Sequence, residues 1–168
     1  MKDGVHGISI TRKINLCDFP KFGLLWQNYD KFFINRPYLI VNHFIGGPCN
    51  PDTPFGICII KKNILKEEVL TRNHISNIRV FNNTKDTILI VSFAHIILNL
   101  LTNFPETNVY IDKKLYINIS WGIAGWSRTQ LLGEIARGGW GLMKGTLEEV
   151  IPYNKGLWEK VTKEKKTY

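Results

Sequence analysis

The chain is poor in the residues that would announce a chemistry. It has only 3 cysteines, Cys17, Cys49 and Cys58, with no CxxC pair and no zinc spacing. That excludes a disulfide framework and favours a reducing, intracellular setting, cytoplasmic or organellar. The GxGxxG, Walker and GxSxG patterns are missing, which removes the familiar sequence routes to dinucleotide binding, phosphate cradling and serine hydrolysis. No cofactor and no metal site are expected. The start, MKDGVHGISI, has no signal-peptide pattern. The most apolar run, ILIVSFAHIILNLL at 88–101, is shorter than the roughly 20 residues a bilayer span needs and contains His95 and Asn99. It reads as buried core, and no membrane span is expected.

What is present suits one globular domain. The 168 residues are 44% hydrophobic and 21% charged, enough to bury a core without staples. The net charge of +8 is compatible with nucleic acid or another anionic partner. The lysines are scattered, apart from pairs at 61–62, 113–114 and 165–166. The stretch 160–168, KVTKEKKTY, reads as a solvated helix end or charged tail.

No repeat, low-complexity tract or linker divides the chain. Gly4 and Gly7 suggest a turn ahead of a short strand, GISITRKI. Phe22 to Phe33 reads as a helix with Leu25, Tyr29 and Phe32 or Phe33 on one face, ended by Pro37. YLIVNHFI (38–45) and FGICIIKK (55–62) read as strands. The dense turn cluster GGPCNPDTP between them predicts a hairpin with a long loop. Two further strands are expected at Ser76–Phe81 and Thr87–Val91, joined at NNTKD. A helix follows from Ser92 to Leu101, with Phe93, Ile96, Ile97 and Leu100 at helical spacing and Pro105 beyond it. In LYINISWG (115–122) Leu115, Ile117, Ile119 and Trp121 alternate with Tyr116, Asn118 and Ser120, the pattern of a strand with one face in the core. A last helix is expected from near Asn154, carrying Leu157, Trp158 and Val161. The fold class is α+β, a single compact domain with a mainly antiparallel or mixed curled sheet flanked by helices.

The stretch GIAGWSRTQLLGEIARGGW (122–140) is the most distinctive. With Ser127 as N-cap, Gln130 falls at N3, so SRTQ is a capping box, and Trp126 and Leu131 occupy the positions of a hydrophobic staple. Leu131, Leu132 and Ile135 form the expected inward stripe, and Gly138 and Gly139 the C-terminal stop. Arg128 at N1 opposes the helix dipole. Three readings of it stay open: a pair with a nearby carboxylate, a solvent-facing cation, or a holder of a bound anion. Asp52 with Glu134 is a candidate carboxylate pair. The histidines His6, His43, His74 and His95 lie on different elements, and each reads as core or surface before it reads as ligand.

Three blocks resemble the AlgH/YqgE family. In the first, Gly122, Ala124, Gly125, Trp126, Gln130, Leu131, Glu134, Ile135 and Trp140 match the family's Gly-Tyr-Ala-Gly-Trp segment and the helix after it. In the second, IGGPCNPDTPF, the matches are Gly46, Gly47, Pro48, Asp52 and Phe55. In the third, GVHGISITRKI, they are Gly4, Gly7, Ile8 and Arg12, and Trp158 resembles a tryptophan of the family's last helix. Departures are Ile123 for Tyr, Thr129 for Gly, Leu132 for Glu, Cys58 for His and Lys13 for Pro. The resemblance implies a single domain over 1–168 that begins inside the family's first-strand region. It therefore predicts an unpaired sheet edge that invites homo-oligomer formation. It implies no established reaction. Bacterial members carry the label of transcriptional regulator, yet no helix-turn-helix is readable here.

Three functions remain in competition. The first is a non-enzymatic binding or regulatory domain for a protein partner, its surface made by Gly46, Gly47, Pro48 and Asp52 of one loop with Gly125, Trp126, Arg128, Gln130, Glu134 and Trp140 of the other. The second is an enzyme acting on a phosphate-bearing or nucleic-acid substrate through Arg128, Glu134 and Asp52, which requires at least two of these to converge. The third is direct nucleic-acid binding through the basic surface. Mere fold-determining turns are the plain alternative for both loops.

Overall fold

The structure, a computed structural model, describes residues 4–61, 79–82, 87–102, 114–145, 149 and 156–164. The strand start at Ser76, most of the NNTKD turn, His74, Pro105 and the helix start near Asn154 lie outside the described residues. In chain order the elements are β1 (Gly4–Gly7), β2 (Lys13–Ile14), α1 (Pro20–Trp26), β3 (Leu39–Ile45), β4 (Phe55–Lys61), β5 (Arg79–Asn82), β6 (Thr87–Phe93), α2 (Ala94–Thr102), β7 (Leu115–Trp121), β8 (Ala124–Ser127), α3 (Arg128–Ala136) and α4 (Leu157–Glu164). The class is α+β. A mixed 6-stranded sheet runs in the order β2-β3-β7-β4-β6-β5, and β1 and β8 form a separate 2-stranded ribbon. No helix among the described residues is long and apolar enough to cross a membrane.

β3 and β4 do not form the expected hairpin. β7 lies between them, parallel to β3 and antiparallel to β4. The reason is burial. Leu115, Ile117, Ile119 and Trp121 are at most 1% exposed, and Asn118 and Ser120 on the other face are at most 2% exposed. A strand covered on both faces belongs at the sheet's centre, not at its edge. The expected single buried face of β7 is therefore corrected to two. The long loop after β3 is free to reach elsewhere.

α2 covers one face of the sheet through Ala94, Ile97, Leu98 and Leu101, an i, i+3, i+4, i+7 stripe packed on Cys58, Ile60, Ile90, Ile117, Ile119 and Trp121. Of the stripe expected, Ile97 and Leu100 are buried and Ile96 packs on the core; only Phe93 departs from it. Phe93 ends β6, and Ala94 opens the helix with its N–H on the carbonyl of Pro54. Pro20 occupies the first turn of α1, where its missing N–H costs nothing. The chain then tightens to 3-10 geometry over Gln27–Phe32, so the single helix expected over 22–33 is two pieces. Leu25, Tyr29 and Phe32 nevertheless face the core as their spacing suggests. On the other face, Ile8 packs with Ile57, Ile59, Leu89, Val91 and Tyr116. In α4, Leu157 is buried but Trp158 is 63% exposed, so Trp158 does not join the core as its helical company suggested.

Candidate functional site

The three sequence blocks meet in space. Gly4 to Gly7 is not a turn; it is β1, paired antiparallel with Ala124–Ser127 of the GIAGW block. The GGP loop joins the same block through a bridge in which the N–H groups of Cys49 and Ile123 donate to each other's carbonyls at 2.8 and 2.9 Å. Gly46 donates its N–H to the Trp121 carbonyl and accepts from the N–H of Ser9, both at 2.9 Å. Residues 4–9, 46–49 and 121–127 are thus knitted into one patch by main-chain hydrogen bonds, which leaves little freedom for either loop.

The glycines serve this contact. A Cβ on Gly47 would sit 2.3 Å from the Ile123 carbonyl carbon. One on Gly122, whose φ is +82°, would sit 2.1 Å from the Gly47 carbonyl oxygen. The close approach permitted here is of one loop to the other, not of an outside partner to the loops. Gly7 lies under Trp126, whose ring would be 3.0 Å from an added Cβ. Gly125 is exposed on the ribbon, opposite His6. Pro48 is exposed at the loop tip.

The start of α3 follows the capping logic in part. Ser127 Oγ accepts the Gln130 N–H at 3.1 Å, as an N-cap should. The Gln130 side chain does not complete the box. It turns forward along the helix and donates Nε2 to Glu134 Oε1 at 3.2 Å. Trp126 also reaches the helix through its polar edge. Its indole N–H donates to Glu134 Oε2 at 3.2 Å. Trp140 Nε1 donates to the same oxygen at 2.7 Å, and the two indoles meet edge to face with centroids 5.4 Å apart. One carboxylate therefore accepts three side-chain donors. These bonds favour its charged form, Trp140's most of all, and the nearby Arg137 adds to them. The Glu134 carboxyl is held below its ordinary range.

The helix ends as expected. Gly138 is at φ +79° and donates to the Ile135 carbonyl, while Gly139 donates to that of Glu134. That is a Schellman motif, and it delivers Trp140 back to Glu134. The inward stripe is found in part: Leu131 and Ile135 are half-buried, whereas Leu132 is 57% exposed. A helix tied to its ribbon through Glu134 and Trp126 turns the side opposite Glu134 outward. On the 3.6-residue repeat Leu132 lies on that opposite side.

The polar trio expected of an enzyme is not joined by any contact among the described residues. Asp52 pairs with Lys21 at 2.8 Å, both side chains largely exposed. Glu134 is engaged by Trp126, Trp140 and Gln130. Arg128 is exposed and makes no ion pair with a described residue.

A second polar contact went unread in the sequence. Trp121, fully buried, donates Nε1 to His43 Nδ1 at 3.1 Å across β7 and β3. His43 also meets Trp26 edge-on at 4.7 Å. Burial in this aromatic setting lowers the His43 pKa to about 4, so the imidazole is neutral at physiological pH. The signal was a histidine on an apolar strand. Its partner lies 78 residues away in sequence and is unpredictable from spacing.

Taken together, a mixed sheet backed by helices, with a Trp-Glu-Trp clasp joining α3 to the β1–β8 ribbon, defines a compact α+β domain. The structure is similar to the solution structure of the AlgH protein from Pseudomonas aeruginosa, with a TM-score of 0.54 and 16% identity over 96% of this chain and 72% of that one. At that identity the likeness establishes the shared fold. No family model matches the sequence, and no curated protein matches it.

Proposed function

We propose that the chain is a non-enzymatic binding domain, regulatory rather than catalytic, and that its binding surface is the GIAGW segment with α3. The carrying observation is the clasp. Two tryptophans converge on one oxygen of Glu134, and Trp140 remains 46% exposed while held by a 2.7 Å bond. An exposed aromatic fixed in advance loses little freedom when a partner covers it, which is how tryptophan comes to dominate interfaces. Leu132 and Leu142, 57% and 62% exposed, add apolar surface to the same segment. The engagement of Asp52 and Glu134 with separate partners favours binding over chemistry on a substrate.

The experiment is photo-crosslinking in the source cell, with a photoreactive residue at 132, 142 or, as control, 24. Discrete adducts at 132 and 142 but not at Leu24, itself 66% exposed, are expected. Absence of adducts, or the same adducts at 24, overturns the reading. A thermal-shift screen against nucleotides and metals runs beside it, because a ligand of the folded state raises the melting temperature by mass action. A nucleotide-induced rise abolished by Arg128→Ala would restore the enzymatic alternative.

A further inference from the structure

We infer that the corner between Trp126 and Trp140, with Glu134 at its apex, binds a quaternary ammonium group, carried as trimethylated lysine on a partner protein. This rests on the binding reading above and names the chemistry that its exposed tryptophan takes. The two indoles stand at 90° with centroids 5.4 Å apart. Both N–H groups point to Glu134 Oε2, at 3.2 and 2.7 Å. An indole N–H lies in the ring plane and its hydrogen bond is close to linear. Oε2 therefore sits near the line where the two planes cross, and the rings run from that line as two walls. Gly7 lies under Trp126, and Trp140 is 46% exposed, so the corner opens to water along Trp140. Perpendicular aromatic walls beside a carboxylate are the arrangement that holds methylated ammonium ions, through attraction of the cation to the ring faces.

Hydrogen bonding selects the kind of cation. An ionised carboxylate offers about four acceptor directions. Trp126 and Trp140 take two on Oε2, and Gln130 Nε2 takes one on Oε1. A lysine ammonium or an arginine guanidinium brings several N–H donors and would turn most of them onto indole carbon. Lysine's compact ammonium is also strongly hydrated. A quaternary ammonium has no N–H to satisfy and sheds water easily. No side chain of the protein fills the corner: among the described residues, no Lys or Arg forms an ion pair with Glu134 or stands over either indole. Arg137, whose field reaches Glu134, has its guanidinium beside Gly133, with Nη1 3.2 Å from the place of a Cβ there. Its charge offsets part of that of Glu134, so the ring faces supply most of the attraction. The corner is also shallow. A free small molecule is normally enclosed over most of its surface, which two walls cannot do. A side chain delivered end-on by a partner needs less enclosure, because Leu132 and Leu142, exposed in the same segment, help to hold the rest of that partner.

The test is proton–nitrogen correlation NMR of the indole N–H signals, with Trp126, Trp140 and Trp158 assigned by single Trp→Phe variants. At constant ionic strength the protein is titrated with a short Gly/Ser peptide bearing one trimethyllysine and with the same peptide bearing unmodified lysine. Choline and its uncharged carbon isostere follow. The trimethyllysine peptide should shift the Trp126 and Trp140 signals together and saturably. Trp158, 63% exposed and with no aromatic or carboxylate partner among the described residues, should stay in place. Affinity should fall about tenfold or more for unmodified lysine and in Trp140→Ala, and severalfold in Glu134→Gln. Glu134→Gln keeps an oxygen for the indoles, so it reads charge rather than shape. The Trp26 and Trp121 signals report whether each variant keeps the fold. No saturable shift, an equal shift at Trp158, equal affinity for unmodified lysine, equal affinity for choline and its uncharged isostere, or full affinity in either variant each overturns the inference. Choline binding more tightly than the peptide overturns the assignment to a lysine side chain. If crosslinks at 132 and 142 persist while trimethyllysine does not bind, the ligand class fails and the binding surface stands. If both fail, both readings fall.

Discussion

Trp121 of β7 and His43 of β3 share a 3.1 Å hydrogen bond inside the aromatic cluster under α1, with the imidazole as acceptor. An indole N–H can only donate, so the His43 proton sits on Nε2 and the ring is neutral.

That arrangement makes stability depend on acid. The folded pKa of His43, about 4, lies below the ordinary value of 6.5. Between the two the unfolded chain binds more protons. The stability contributed by the neutral ring is therefore full above about 6.5 and is lost as pH falls toward about 4, about 3 kcal/mol in all. Urea midpoints measured across that range should fall steeply in wild type. His43→Phe should flatten that part of the slope, and an unchanged slope would refute the assignment.

The clasp predicts a local titration. Trp140→Phe removes the strongest donor to Glu134, so the carboxyl pKa should rise toward its ordinary value, with a smaller rise for Trp126→Phe. Carboxyl carbon NMR of Glu134 follows this directly. Because the folded value is depressed, the associated stability is present above the ordinary carboxylate pKa and is lost as pH falls through the folded one. Equal values in wild type and Trp140→Phe would show that the indole bond is not made in solution.

The thiols should divide two to one. Cys17 and Cys49 are exposed, whereas Cys58 is buried under α2 and its pKa is pushed up to about 12. Ellman's reagent on the native protein should label Cys17 and Cys49 quickly and Cys58 only on unfolding. Fast labelling of all 3 cysteines would contradict the packing of β4.

Substitutions around the knitted patch should separate structural from surface roles. Gly47→Ala drives a methyl into the Ile123 backbone and should cost more than about 3 kcal/mol or prevent folding. Ser127→Ala loses the N-cap and should cost about 1 kcal/mol. Leu132→Ala should stay within about 0.5 kcal/mol, because the side chain packs on nothing that would be left as a cavity. Chemical denaturation ranks the three. A large cost at Leu132 would return α3 to the core and remove the surface on which the proposed partner sits.

Much of the fold was legible in the residues. β7 alternates visibly, α2 carries an apolar helical period, and Ser127, Gly138 and Gly139 bracket α3 as local capping rules require. The GGP and GIAGW blocks could be singled out as related. That they touch, with β1 beside them, could not, since a backbone-to-backbone contact carries no mark beyond small residues at both ends. The β3–β4 hairpin was misread for a similar reason. Adjacent strands with a turn between them look the same in sequence whether or not a third strand enters, and only the burial of β7 on both faces forces it between them.

The sequence by itself determined the α+β class, the capped ends of α3 and the burial of the central strands, because periodicity and capping act within a few residues. Only the tertiary structure decided which way α3 faces. Leu131, Leu132 and Ile135 are equally apolar, and local pattern cannot tell which of them turn inward. Glu134 breaks the tie by accepting from Trp126 and Trp140, which leaves Leu131 and Ile135 half-buried and Leu132 in solvent.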